Sequence, residues 1–238
     1  MRIRLRGERG LADAGTRRLL EAMRGRGLNF DPRAMRELSE DDAWHVDDYC
    51  RRLPPEPPGE PTDEGSFQIA RRLMTDYEFA DPAVIRAVYE ADSPLEGRAM
   101  LLEIRFLGLR FRVGVRVEEV RDETRQVDGR PVRVWGWGYR TLEGHLEKGQ
   151  MDYEVWKWLE TGDVEFHIHA VSEVAELGNP FVRLGFRLFG RREQIRFARS
   201  CAERLARYTA LTLERGTDAE PRPMIRDGLA ISPTTPPG

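Results

Sequence analysis

The residues with the greatest chemical potential for their length lie between Trp135 and Gln150, in the string WGWGYRTLEGHLEKGQ. His145 titrates near neutrality, and Tyr139 and Glu147 offer it a hydroxyl and a carboxylate. Such a trio could move a proton on a bound molecule. The same histidine could instead hold a turn through backbone hydrogen bonds. Four glycines interrupt this aromatic stretch, and glycine permits bulges, tight turns or close approach of another backbone. Further along, His167 and His169 are two residues apart and share one face of a strand. Two such histidines can ligate a metal only with a third ligand, which Glu165 on the same face or Glu154 on a neighbouring strand could supply. Nothing in the spacing requires that closure, so neither a metal nor another cofactor is expected. The other readings are a hydrogen-bonded polar sheet face or contact with a ligand.

Aromatic residues surround these groups. Trp135, Trp137 and Tyr139 share one strand face by period two, and Glu154, Trp156 and Trp158 share another. If both faces point inward, they form a rigid wall for an apolar cavity, with His145, Glu147 and Glu154 orienting a ligand's polar end. The candidate ligand contacts are therefore Trp135, Trp137, Tyr139, His145, Glu147, Glu154, Trp156, His167 and His169.

Other chemistries lack their motifs. There is no glycine-rich phosphate loop, nucleophile elbow or HExxH. Arg110, Arg112 and Arg116 could meet an RNA backbone, but Glu118 and Glu119 lie beside them and the net charge is −3, so no nucleic-acid partner is expected. The basic, apolar string from Gly185 to Arg192 could touch a membrane surface or a phosphate, or it could be a bent lead into a helix. No run of about 18 apolar residues occurs, and MRIRLRGERG carries no apolar segment behind its charges. Stable membrane insertion is not expected. Cys50 and Cys201 are distant and form no CxxC, which suits reduced thiols in a cytoplasmic protein.

The elements that must position these groups are legible from periodicity. Thr16–Met23 reads as a short helix, with a further helical turn over Pro32–Leu38. Arg51–Gly65 holds five prolines and two glycines and reads as a linker or surface-pinned loop. Ser66–Tyr77 places Phe67, Ala70, Leu73 and Met74 on one helical face. Val84–Tyr89 is strand-prone. From Met100 the period changes to two, and Leu109, Phe111, Val113, Val115 and Val117 alternate with polar residues or glycine. Asp128-Gly129 and Thr161–Asp163 mark turns between successive strands, so an antiparallel meander is expected. Arg191–Thr212 is one amphipathic helix, long enough to cover a sheet. Expected core positions are Leu109, Phe111, Val113, Val115, Phe166, Ile168, Ile195, Ala198 and Leu205. After Gly216 a loosely docked tail is expected.

The string Gly138, Tyr139, Thr141, Leu142, Gly144, His145, Glu147, Gly149 resembles the hallmark Gly-Tyr-Gly-Thr-Leu-x-Gly-His-x-Glu-x-Gly-Glu of the bacterial and plant family called domain of unknown function 1990. Arg140 and Gln150 depart from it. Arg192, Gln194 and Phe197 extend the likeness, which runs from about Ser66 to Leu211. The family is similar to the helix-grip superfamily of START lipid-transfer domains and the birch-pollen allergen (START/Bet v 1-like). That resemblance implies an α+β fold: a curved antiparallel sheet gripping a long C-terminal helix, with a cavity between them suited to small hydrophobic or amphipathic molecules. The expected organisation is an N-terminal extension and Pro-rich linker over 1–65, a helix-grip domain over 66–212 and a flexible tail over 213–238. The expected function is binding of such a ligand. The alternatives are an enzyme using Tyr139 and His145 for proton transfer, and a protein-interaction module working through the proline-rich segment and the tail. The sequence sets no oligomeric state.

Overall fold

A computed structural model describes residues 14–33, 44–106, 109–174 and 180–234, with Leu11; its side chains are described outside 106–109 and 174–193. In chain order the elements are α1 (Ala14–Arg24), β1 (His45–Leu53), α2 (Ser66–Thr75), β2 (Ile85–Glu90), β3 (Ala99–Phe106), β4 (Leu109–Val127), β5 (Arg130–Thr141), β6 (Glu147–Trp158), β7 (Val164–Val174), α3 (Pro180–Arg215), β8 (Met224–Arg226) and β9 (Leu229–Ser232). All pairings are antiparallel, in the order β1-β7-β6-β5-β4-β3-β2-β9-β8. Asp128 and Gly129 both take positive φ, which makes the tight turn that joins β4 to β5 with the twist of the strands. A bulge between Val117 and Glu119 bends the long β4 and curves the sheet.

Period two decides what each face carries. Phe111, Val113, Val115, Phe166 and Ile168 turn to one side and are buried under α2 and α3. The buried stripe of α3 is Phe197, Ala198, Cys201, Ala202, Leu205 and Tyr208, with Thr209 and Thr212 continuing it. Ile195 is only half-buried, and the Leu109 side chain lies outside the described residues. This is the α+β helix-grip arrangement. A smaller cluster sits on the sheet's other side, where Leu20 and Met23 of α1 pack on Val88, Leu101, Leu229 and Ile231.

Three expectations need correction. First, the sheet does not begin after residue 65: β1 pairs along its whole length with β7. Its sequence, HVDDYCRRL, hides this because an edge strand tolerates charge on both faces. Second, the tail is ordered into the sheet. β9 is wholly buried beside β2, and Asp227-Gly228, both at positive φ, turns β8 into it. Glu78 anchors the end of β9 and the chain just beyond it: Ser232 Oγ donates to it at 2.8 Å, and the backbone N–H and hydroxyl of Thr234 donate to it as well. Arg204 of α3 completes this clamp at 3.4 Å. Third, α3 begins at Pro180, so Gly185–Arg192 is helical backbone and not a bent lead. The turn expected over Pro32–Leu38 falls mostly outside the described residues.

The proline-rich segment is pinned to the sheet. Fully buried Lys157, on the inner face of β6, donates to Glu56 Oε2 at 2.7 Å and to the Glu60 carbonyl at 2.9 Å. The other Glu56 oxygen accepts the Phe67 N–H at 2.7 Å, which satisfies a free donor in the first turn of α2. No described helix is long and apolar enough to cross a membrane.

Candidate functional site

The inner face of β5–β7 has two zones. Beneath α2 it is filled. Trp137 packs edge-on or tilted against Phe79 and Tyr153, at 6.3 and 5.2 Å between ring centroids, and Phe79 reaches Phe166 at 5.8 Å. Trp137 Nε1 donates to the Met74 carbonyl at 3.2 Å, so its polar atom is satisfied by the helix that covers it. Trp135 lies under Arg71, whose guanidinium stands 5.2 Å from the ring centroid. These two tryptophans are core and do not line the cavity.

Beneath the first described turns of the α3 side-chain stripe the face is open. A cavity of about 120 Å³ lies between the sheet and α3, walled by Ile104, Leu146, Met151, Ile168, Phe197 and Ala198 among others. Its polar corner holds Tyr139, His145, Glu147, Ser172 and Gln194. Gln194 Nε2 donates to Glu147 Oε1 at 2.7 Å and to Ser172 Oγ at 3.2 Å. Burial raises the Glu147 carboxyl to about 7, against the opposing effect of the Gln194 hydrogen bond. His145 Nδ1 lies 3.0 Å from both the backbone nitrogen and the carbonyl oxygen of Glu147. Burial lowers this imidazole to about 4. It is thus neutral near pH 7 and locks the turn before β6. Burial also pushes the Tyr139 hydroxyl up, and its polar contacts are the Met151 sulfur at 3.7 Å and the Tyr153 and Tyr77 hydroxyls, not His145.

Local sequence builds this corner. Gly149 has φ 151°, and a Cβ there would stand 2.0 Å from the Val171 carbonyl oxygen, so the strand can approach β7 only with glycine. Thr141 Oγ1 accepts the Gly149 N–H at 2.9 Å, and Asn29 Nδ2 donates to the Glu147 carbonyl at 2.8 Å. Asn29 and Ser172 carry no motif, although Ser172 continues the inward period of Phe166, Ile168 and Ala170. Gln194 is visible from sequence only through the family resemblance.

Glu154, Trp156, His167 and His169 are not at the cavity, which corrects their expected place. The register sets Tyr153 opposite Trp137 and Ile168, so residues one step away point outward. On that outer face Arg121 binds Glu154 at 2.8 Å, Asp152 at 3.3 Å and Glu119 at 2.8 Å, and Arg125 binds Glu154 at 2.9 Å. Burial works against the Glu154 charge, but hydrogen bonds from Trp156 and Arg121 and the Arg125 charge hold its carboxyl below the usual range. Gly136 and Gly138 make room for these carboxylates: added Cβ atoms would stand 2.7 Å from Glu154 Cγ and 2.1 Å from Asp152 Oδ1. The imidazole of His167 stacks on Trp156 at 4.1 Å, and His169 Nδ1 meets Asp48 at 2.7 Å. Trp158 stands under Arg130 at 4.0 Å. The arginines weighed against RNA are paired as well, Arg110 and Arg112 with Glu103 at 3.4 Å and Arg116 with Glu118 at 2.5 Å.

Among curated proteins none matches the chain. Solved structures similar to it include that of Ara h 8.0201, at 8% identity over 71% of this chain and 99% of that one, with a TM-score of 0.40. Two more are the hypothetical protein jhp0584 from Helicobacter pylori (11% identity, 77% and 96% covered, TM-score 0.39) and human STARD10 (10%, 95% and 94%, 0.38). Residues 33–203 match the family described as Domain of unknown function (DUF1990), and the chain belongs to that family.

Proposed function

We propose that the protein binds a small amphipathic molecule in the cavity between the sheet and α3. The apolar end lies against Ile104, Leu146, Ile168 and Phe197, and the polar end faces Glu147 and Gln194. The observation that carries this reading is an apolar cavity of about 120 Å³ that meets one raised carboxyl at its corner. A cavity of roughly 150 Å³ is enough to admit benzene, so a ring-sized or short-chain apolar group is the right scale. Two unpaired thiols, Cys50 and Cys201, fit a reducing, cytoplasmic setting.

A second reading, an enzyme on the same site, is favoured by one observation. A carboxyl raised to about 7 is poised to give or take a proton near neutrality. In that case Glu147 is the acid–base group, in place of the Tyr139/His145 pair expected from sequence. The third reading, an interaction module using the proline-rich segment, is disfavoured by the burial of Glu56 and its ion pair with Lys157.

The test is native mass spectrometry of freshly purified protein, with extraction and identification of any bound molecule. Titration with short-chain alcohols and aromatic alcohols, read by tryptophan fluorescence, comes next. Saturable binding weakened by Glu147→Ala supports the proposal. Binding indifferent to Glu147 and to a bulky residue at Ala198 removes it. Turnover of the extracted molecule, lost in Glu147→Gln, moves the reading to the enzyme.

A further inference from the structure

The outer face of the sheet holds a second constellation, away from the cavity and independent of what the cavity binds. Cys50 on β1 is the direct cross-strand partner of His167 on β7, and Glu165 lies two residues before that histidine on the same face. The Cys50 Sγ lies 3.7 Å from His167 Nε2, and that same nitrogen lies 3.2 Å from Glu165 Oε2. All three atoms fall within 4.8 Å of one another.

The geometry is wrong for a thiol–imidazole–carboxylate relay, because a relay uses both ring nitrogens, one for the thiol and one for the carboxylate. Here sulfur and oxygen converge on a single nitrogen. It is the geometry of three donors around a common point. With Zn–S near 2.3 Å and Zn–N and Zn–O near 2.0–2.2 Å, tetrahedral zinc separates S from N by about 3.6 Å and N from O by about 3.4 Å. The observed 3.7 and 3.2 Å match those edges.

We infer that Cys50, His167 and Glu165 form a binding site for a borderline divalent transition-metal ion, Zn²⁺ by donor type, with water in the fourth position. One thiolate, one imidazole and one carboxylate suit zinc and do not suit Mg²⁺ or Ca²⁺. The surroundings hold the donors in place. Trp156 stacks on the His167 ring at 4.1 Å and 24°, which sets its plane. Trp158 Nε1 donates to Glu165 Oε2 at 3.1 Å and orients the carboxylate, as outer hydrogen bonds do in metal sites. Burial and the Glu165 charge raise the Cys50 thiol, with Arg52 opposing them. On binding, the S–H bond of Cys50 breaks, its proton passes to solvent, and the S–metal bond forms. Cys50 is exposed, so the ion has direct access. Sequence spacing predicted no metal because the third donor belongs to a strand more than 100 residues away and not to the β6–β7 hairpin.

The experiment uses the full chain, reduced with a phosphine and freed of metal, and titrates it with Co²⁺ while recording absorbance. One equivalent should produce tetrahedral d–d bands and a near-ultraviolet thiolate-to-cobalt band, and Zn²⁺ should bleach both. Cys50→Ser should abolish the thiolate band and weaken binding at least tenfold. His167→Ala should weaken binding equally, and His169→Ala should leave it within about twofold. Cys201→Ser should keep the band, because Cys201 is wholly buried in the core. Unchanged melting curves for the Cys50 and His167 variants show that the loss is local. No cobalt spectrum in the intact chain, or a thiolate band that survives Cys50→Ser, overturns the site.

Discussion

The two faces of the β5–β6–β7 meander are built from the same residue types and do opposite things. Inside, Trp137, Tyr139 and Tyr153 lie among apolar neighbours, and the one buried ion pair, Lys157–Glu56, closes the far end among the described residues. Outside, Trp156 and Trp158 lie under arginines, and Glu154 and Asp152 are tied to Arg121. An aromatic residue on a strand is therefore no sign of a cavity. Parity sends Trp137 to the core and Trp156 to a charged, hydrogen-bonded surface. Among the described residues, the open space on the inner face lies where the aromatic cluster ends, at Glu147 and Gln194.

The largest expected contrast is in stability. Lys157→Met leaves Glu56 buried and unpaired and should cost about 3–5 kcal/mol, whereas Arg121→Met on the outer face should cost about 1 kcal/mol. Trp137→Ala should likewise cost about 3–5 kcal/mol, and Trp156→Ala about 1 kcal/mol. Urea unfolding of the four variants measures both ratios. Equal losses within either pair would mean that the faces are not energetically distinct.

A bulkier residue at Ala198 tests whether the open zone is a site or a packing defect. Ala198→Leu should reduce affinity for an apolar ligand at least tenfold while stability moves by about 1 kcal/mol or less. A loss of stability without a loss of binding would place the ligand elsewhere.

The polar corner makes a subtler prediction in pH. The Glu147 carboxyl rises from an ordinary value to about 7 on folding, so its contribution to stability is complete at low pH and is lost as pH rises through 7. The His145 imidazole falls to about 4, so its contribution is present above pH 6.5 and is lost as pH falls through 4. Between roughly pH 4.5 and 6.5 the two slopes oppose one another. Glu147→Gln removes one of them, so the melting temperature of the variant relative to wild type should climb with pH across that window. A pH-independent difference would show that Glu147 titrates normally.

The smallest effect expected is none at all. Saturating Zn²⁺ on the outer face should leave cavity-ligand affinity within about twofold, because the sheet separates the two sites. A larger shift would couple the faces through β7.

Much of this architecture could be read along the chain. The alternation in β4 and β7, the Asp128-Gly129 turn and the apolar stripe from Ala198 to Tyr208 each state their structure locally. The missed elements have local signals too weak to compete. β1 is charged because it is an edge strand, and β9 is only four residues long, although Asp227-Gly228 before it is as good a hairpin turn as Asp128-Gly129. For the candidate site, sequence identified Tyr139, His145 and Glu147, which share a motif. It could not say whether Trp156 and His167 turn inward, because both parities of β6 carry large residues.

The sequence by itself determined the strand periods, the tight turns, the covering helix and the family, since each depends on residues close together in the chain. Only the tertiary structure decided which face of β6 is the inside, that Gln194 meets Glu147, and that Cys50 stands opposite His167. Those pairings cross 47 and 117 residues. Register and packing set them, and a one-residue shift in register would have exchanged every inner side chain for an outer one.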